Sequence, residues 1–177
     1  MITKNTHMDN VAGIVLAGGK SSRMGTCKAL LGYDGRPLVE HMSQLLQQAG
    51  CEHVYISGAV PGYECIPDIT PFDGPAQAMA AMLMRFKGVH SRLLFVPVDM
   101  PLIHVNVLKN LLSYEKDAFY ANHPLPACLA TGAIEGGMCS VKDLLLLRRA
   151  EGVPLPLKFR RCMSNCNTKE EWEALAS

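Results

Sequence analysis

Residues 11–28 read VAGIVLAGGKSSRMGTCK, an apolar run followed directly by a loop rich in glycine, basic and hydroxyl side chains. The run at 11–17 is short and almost continuously apolar, a pattern typical of a strand buried on both faces of a sheet. Glycines let the backbone approach a ligand closely, and exposed N–H groups in such a loop can bind an anion. With Lys20, Arg23 and Lys28, the loop therefore predicts a site for a small polyanion. A solvated basic turn without a ligand is the alternative.

The spacing of the glycines in this loop excludes two common phosphate-binding motifs. No Gly-Lys-Ser/Thr closes a Gly-x-x-x-x-Gly spacing, so the loop is not a P-loop. The Gly-x-Gly-x-x-Gly spacing of dinucleotide-binding folds is absent as well. The loop suits a triphosphate, but in a different type of site.

Downstream of this loop, apolar runs alternate with longer segments of helical spacing. The runs predict further buried strands, at 53–57, 92–98 and, more weakly, 118–121. The helical segments lie at 38–49, 75–86, 104–112 and 141–149, with a last helix from Thr168 whose capping box includes Glu171. Proline-rich segments at 124–126 and 154–156 are interpreted as loop or edge-strand positions.

This alternation of strands and helices predicts the fold class. Strand–helix–strand units favour parallel pairing with right-handed crossovers. We therefore expect a single α/β domain, a Rossmann-like three-layer sandwich around an open, mostly parallel (mixed) sheet. Ligands of such sheets bind beyond the carboxyl ends of the strands, and functional residues are expected there.

Composition and charge exclude several classes of protein. A chain of 177 residues with 49% hydrophobic residues and a net charge of +1 is expected to form one neutral domain with a substantial core. The near-zero charge argues against binding to nucleic acid or an anionic membrane surface. Seven cysteines without a Cys-x-x-Cys pair predict free thiols, and no signal peptide or bilayer-length run is found. A cytoplasmic location is expected.

Asp99 directly follows the run at 92–98, where a parallel strand would present it at the ligand edge of the sheet. Magnesium prefers oxygen ligands and is typically held by one or two carboxylates together with substrate phosphates. Asp99 is therefore the candidate metal ligand. Alternatively, it caps the helix near His104, with Pro101 close to the first turn.

The stretch at 11–28, together with the residues that follow it, also resembles a known family motif. LAGGKSSRMG at 16–25 followed by KALL at 28–31 is similar to the motif of the nucleotidyltransferase superfamily, and most similar to that of the molybdenum cofactor guanylyltransferases. This resemblance implies a nucleotidyltransferase domain over 11–177 behind an N-terminal tail at 1–10. It also implies transfer of GMP from GTP to molybdopterin, release of pyrophosphate, Mg2+ as cofactor, and transient contacts with other molybdenum cofactor proteins.

The resemblance also implies roles for individual residues. VPVDMP at 96–101 is similar to the metal motif of the family, so Asp99 is expected to hold both metal and nucleotide. Arg23 and Lys28 would neutralise phosphates as catalytic cations. The other residues implied in nucleotide binding are Leu16, Ala17, Gly18, Gly19, Ser57 and Asp68. Those implied in acceptor binding are His123, Asn165 and Asn167.

Several positions depart from the family pattern and keep alternatives open. Cys27 stands where the family usually has aspartate, and Ser57 where it commonly has asparagine. Asp73 competes with Asp68, although as the residue before Gly-Pro it suits a turn or cap. The segment 151–156 lacks the arginines expected around the acceptor phosphate. The alternatives are a cytidylyltransferase or sugar-phosphate enzyme, and a nucleotide-binding domain without turnover. Nearby basic residues that can substitute are Lys142, Arg148, Arg149, Lys158, Arg160 and Arg161.

Overall fold

The first apolar run, at 11–17, provides a strand inside a six-stranded sheet. The computed structural model describes residues 10–18, 27–68, 74–166 and 171–172. Among these residues, the strands are β1 (Val11–Leu16), β2 (Gly32–Tyr33), β3 (Arg36–Pro37), β4 (His53–Ser57), β5 (Arg92–Pro97), β6 (Ala118–Tyr120), β7 (His123–Ala130) and β8 (Glu151–Val153). The α-helices are α1 (Leu38–Ala49), α2 (Pro75–Arg85), α3 (Val105–Leu112) and α4 (Val141–Leu147). Short 3-10 helices span Lys28–Leu30 and Leu157–Met163.

The sheet consists of a parallel half and a largely antiparallel half, in the strand order β4-β1-β5-β7-β6-β8. Strand β1 pairs in parallel with both β4 and β5. Strand β7 runs antiparallel to its neighbours β5 and β6, and β8 pairs in parallel with β6. The mixed, mostly parallel α/β sheet expected from the sequence is confirmed. Strands β2 and β3 form a separate hairpin.

Helices cover both faces of this sheet and complete the three-layer sandwich. Side chains of β1 alternate between two apolar clusters, with Val15 on one face and Ile14 on the other. Buried residues of α1 and α3 join the first cluster, and those of α2 and α4 join the second. Gly13 allows α1 to pack closely, because a Cβ there would lie 2.9 Å from Leu46.

Most of the predicted elements match the structure to within a few residues, but the segment 124–126 does not. We interpret it as loop or edge strand, and the loop alternative is wrong because the segment belongs to β7, in the part that lies beyond the pairing with β5. Prolines are tolerated there since β7 pairs with β5 only from Ala127 to Ala130, and its pairing with β6 is irregular before Ala127. The segment 154–156 is a loop, as expected.

Helix termini follow the local signals in the sequence. Gly50 ends α1 in the left-handed conformation with φ 119°, a backbone that glycine adopts without strain. Gly74 and Pro75 begin α2. The helix predicted from Thr168 starts outside the described residues. In the described part of the chain, every helix is too short or too polar to cross a bilayer.

Candidate active site

One edge of the sheet collects the ends of several strands around an open pocket. Strands β1, β4 and β5 end at this edge, and the antiparallel β7 begins there, since it runs in the opposite direction. The pocket has a volume of about 380 Å3. Its walls include the predicted residues Leu16, Ala17, Gly18, Lys28, Asp99, His123 and Asn165. They are completed by Pro75, Pro97, Val98, Met100, Pro124, Leu125 and Met163.

Asp99 is a half-buried carboxylate in the pocket wall, directly after β5 and Val98. Burial raises the pKa of Asp99, while the charge of Lys28 and a hydrogen bond from the Asn165 side chain act in the opposite direction. The alternative role as a helix cap is wrong. The N-cap of α3 is His104, whose ring nitrogen accepts a hydrogen bond from Asn106 N at 3.1 Å.

Lys28 connects the short 3-10 helix at the pocket to residues 164–166, which follow the 3-10 helix Leu157–Met163. Its ammonium donates a hydrogen bond to the Cys166 carbonyl at 3.1 Å. The amide N–H of Cys166 in turn donates to the Asp99 carbonyl at 2.8 Å. These two bonds hold Asn165 next to the Asp99 carboxylate, although the two residues are far apart in sequence.

Cys27 precedes Lys28 as the N-cap residue of the short 3-10 helix. Within the described part of the molecule, its side chain makes no capping hydrogen bond. The half-buried thiol instead packs against the core cluster under α1. Cys27 therefore contributes an apolar contact next to Lys28.

The Gly18 end of the pocket is built by close backbone contacts. Ala17 N donates to the Ser57 carbonyl at 2.9 Å, which joins the ends of β1 and β4. A Cβ at Gly18 would lie 2.6 Å from Asp68 Oδ2. A Cβ at Gly58 would lie 2.5 Å from Gly18 N, and Gly58 has φ +120°. Gly58 therefore requires glycine, because both its φ and the Gly18 backbone exclude a side chain, whereas a side chain at Gly18 would have to displace the Asp68 carboxylate.

Ser57 and Asp68 lie behind this backbone rather than in the pocket wall. Ser57 is 1% exposed, and its hydroxyl donates to Asp68 Oδ1 at 3.4 Å. Neither residue lines the pocket, although the Asp68 carboxylate contacts Gly18 in its wall. Sequence reasoning missed Gly58, for which a glycine directly after the second apolar run was the available signal.

Two of the predicted acceptor residues, His123 and Asn165, line the pocket as well. His123 is half-buried at the start of β7, and Asn165 is exposed at the rim. Arg148, considered for the acceptor phosphate, serves a structural role instead. Its guanidinium lies 2.9 Å from the Asp117 carboxylate and donates to the Ala130 carbonyl at 2.8 Å.

Several residues singled out in the sequence lie outside the described residues: Gly19, Lys20, Arg23, Asp73 and Asn167. In the ranges that are described, no group of three or more His, Cys, Asp or Glu side chains could hold a metal ion. Asp99 and Asn165 do offer neighbouring oxygen ligands. Such a pair fits a hard cation whose other ligands are substrate phosphates and water.

Comparison with known proteins places the chain among nucleotidyltransferases. Residues 13–164 match the family model described as MobA-like NTP transferase domain. A molybdenum cofactor guanylyltransferase of Xanthomonas euvesicatoria is 39% identical over 176 residues, which cover 92% of this chain and 93% of the relative.

Solved structures agree with this in fold. A nucleotidyl transferase from Methanothermobacter superposes with a TM-score of 0.71 at 14% identity, covering 95% of this chain and 96% of that one. Molybdopterin-guanine dinucleotide biosynthesis protein A from Archaeoglobus fulgidus gives a TM-score of 0.62 at 19% identity, covering 93% and 96%. At these identities the likeness shows the fold alone.

Proposed function

Because the chain belongs to the MobA-like NTP transferase family, we propose that it transfers GMP from GTP to molybdopterin and releases pyrophosphate. The relative that is 39% identical over nearly the whole chain is a molybdenum cofactor guanylyltransferase. The observation that carries the proposal is the place of Asp99 in the pocket. It lies after the middle strand β5, with Gly18 on the side of β1 and His123 on the side of β7. A nucleotide and an acceptor can therefore meet beside it.

The guanine nucleotide is assigned to the side of Gly18. Exposed backbone at Ala17 and Gly18 can approach the base and ribose closely, because Gly18 has no side chain in the way. Lys28 lines the same pocket and its charge acts on Asp99, so its positive charge suits the phosphates. Ser57 would act through Asp68, since it is buried behind the wall. Gly19 and Arg23 belong to the same predicted loop.

Mg2+ is the proposed cofactor, held by the Asp99 carboxylate with Asn165 beside it. The pKa of Asp99 is raised by burial, so its negative charge is destabilised in the free protein. A cation placed against the carboxylate would compensate that cost. When bound, the metal supplies positive charge that neutralises the phosphate oxygens at the reacting phosphorus.

The chemistry needs positioning and charge more than proton transfer. An oxygen of the molybdopterin phosphate attacks the α-phosphorus of GTP in line, and the bond from that phosphorus to the pyrophosphate oxygen breaks. The attacking phosphate is already ionised at neutral pH, so no general base is required. Negative charge grows on the departing pyrophosphate, where Lys28 and Arg23 stabilise it more than they stabilise bound GTP. His123, Asn165 and Asn167 are assigned to the acceptor.

The reaction is proposed to take place in the cytoplasm, where the cysteines would remain reduced. Transient contacts with other molybdenum cofactor proteins would deliver the acceptor and remove the product. No interaction with nucleic acid or a membrane is expected, because the net charge is only +1.

Pyrophosphate release from GTP and from CTP, each with and without purified molybdopterin and Mg2+, tests this function. We expect release with GTP and molybdopterin together, and at least about tenfold less with CTP. The reason is that backbone groups at Ala17 and Gly18 would hydrogen-bond the edge of the base, and this edge differs between guanine and cytosine. Preference for CTP would overturn the guanine assignment. Tight GTP binding without any release would overturn the enzymatic function itself.

A further inference from the structure

A second cleft lies beside the active-site pocket and shares two of its wall residues. It has a volume of about 300 Å3 and runs between β6, the start of β7 and the outer face of α4. His123 and Pro124 line both cavities. The shared wall makes the cleft a continuation of the pocket rather than an isolated surface feature.

The strand order fixes the direction in which this cleft extends. Across the sheet edge, Gly18 follows β1, Asp99 follows β5, and His123 begins β7. The cleft beyond His123 is therefore separated by Asp99 from the protein backbone at Gly18, where the nucleotide is assigned. An acceptor that attacks opposite the pyrophosphate must reach the reacting phosphorus from outside the nucleotide subsite, and this side is open to it.

The lining of the cleft is mainly apolar, with Asn122 and His123 as polar residues and Lys142 as the charged one. Phe119 and Leu145 form its inner part, and Leu146 is 76% exposed at the surface. Lys142 is the charged residue, one helical turn before Leu146 on α4. Because Leu146 is so exposed, it contributes little to the stability of the folded chain. Together with Phe119 it offers an apolar surface against which a flat ligand can pack.

We propose that this cleft receives the planar pterin of molybdopterin while the acceptor phosphate lies beside Asp99. The inference rests on the proposed function. A pterin has apolar faces and polar edges, which match the apolar side chains of Leu146 and Phe119 and the ammonium of Lys142 in the lining. The cleft volume is at the lower end of the range for small-molecule sites, roughly 300–1,000 Å3. That size suits one ring system rather than a whole dinucleotide.

Steady-state kinetics of Leu146→Asn test the inference, with Leu157→Asn as the matched control. Leu157 is 74% exposed, nearly the same as Leu146, and lines neither cavity. For Leu146→Asn we expect the KM for molybdopterin to rise about tenfold, the loss typical of part of one leucine contact. The KM for GTP should stay within twofold of wild type. Lys142→Gln is expected to raise the molybdopterin KM by about threefold.

The outcomes separate this inference from the proposed function. If wild type releases pyrophosphate from GTP and molybdopterin but Leu146→Asn keeps the wild-type molybdopterin KM, the cleft does not hold the pterin and the function stands. An equal rise in Leu157→Asn would also overturn the inference, because the effect would not be local. If wild type shows no turnover with these substrates, the proposed function and this occupant of the cleft both fail.

Discussion

The two halves of the sheet build their parts of the active site by different means. In the parallel half, β4 and β1 end in close backbone contacts that allow only glycine at Gly58, beside Gly18. In the other half, β7 and β6 are supported by side chains, chiefly the Asp117–Arg148 ion pair under Ala130. Backbone geometry constrains residue type position by position, while side-chain support can be rebuilt in many ways. A short motif therefore marks the nucleotide side, and nothing comparable marks the acceptor side.

Asp99 lies where the two halves meet, and its replacement is expected to have the largest effect. Asp99→Asn should lower kcat roughly 10³-fold, as expected for removal of one preorganised group that stabilises transition-state charge. Burial raises the pKa of Asp99, so the charged carboxylate opposes folding. The variant should therefore unfold at the same temperature as wild type or a higher one. Turnover assays and thermal unfolding in the absence of metal check both expectations.

A drop in unfolding temperature for Asp99→Asn would contradict this, since Asp99 would then be structural. The two halves would also be less distinct, because the junction residue would be needed for packing. Near wild-type kcat with unchanged folding would remove Asp99 from the catalytic site.

Arg148 tests whether the antiparallel half depends on side-chain charges for its stability. The side chains of Arg148 and Asp117 are 18% and 11% exposed, and Asp117 also accepts a hydrogen bond from Ala130 N at 2.7 Å. Removing one partner of a mostly buried pair leaves the other charge without compensation. Arg148→Met is expected to lower the free energy of unfolding by about 3 kcal/mol, measured by urea denaturation.

Arg149→Met is the control for this variant, because Arg149 is the exposed neighbour with an equivalent change in charge. It should alter the free energy of unfolding by less than about 0.5 kcal/mol. If the two variants are equally stable, the ion pair does not support β7. The GTP KM of Arg148→Met should remain that of wild type wherever the variant is folded.

Gly58 tests the backbone contacts of the parallel half. An alanine Cβ there would meet Gly18 N at 2.5 Å, and the positive φ of 120° is unfavourable for any L side chain. Gly58→Ala is expected to lose about 2 kcal/mol of stability and to raise the GTP KM. Gly62→Ala is the matched control, because Gly62 also has a positive φ but open space around it. Equal GTP KM values in the two variants would show that the close approach to Gly18 is unimportant.

The same contrast explains what could be predicted from the sequence. Strands β1, β4 and β5 are apolar runs, so their places and the strand-end position of Asp99 were predictable. Strand β7 was missed because Pro124 and Pro126 signal a loop, and only the pairing shows that they lie beyond its contact with β5. Strand β8 is only three residues long and includes Gly152, which gives too little periodicity to detect.

Contacts between residues that are distant in sequence could not be predicted, for a different reason. Lys28 and Cys166 meet at 3.1 Å across a separation of 138 residues, and the Arg148–Asp117 pair across 31. Neither contact leaves a local pattern. The hairpin of β2 and β3 does have a local signal, because Asp-Gly at 34–35, between its strands, is a typical hairpin turn.

The smallest expected effect concerns the amino ends of the parallel strands, opposite the active site. His90 is 4% exposed before β5, its Nδ1 donates to Asn10 Oδ1 at 2.7 Å, and its Nε2 shares a hydrogen bond with the Tyr55 hydroxyl at 3.1 Å. Burial, followed by the nearby His53, lowers the pKa of His90, so the neutral ring is favoured in the folded protein. The unfolded chain then binds the proton more readily than the folded one.

Stability from His90 is therefore fully present above its unfolded pKa of about 6.5 and is lost as pH falls through the lower folded value. Urea denaturation of wild type between pH 7.5 and about pH 5 should show this loss. His90→Gln should show a weaker dependence on pH, because its side chain does not titrate. His53→Gln should weaken the pH dependence less than His90→Gln, since His53 is only the second cause of the lowered pKa of His90. An identical slope in wild type and His90→Gln would mean that the parallel half carries no titrating support at this end, leaving backbone contacts as its main constraint.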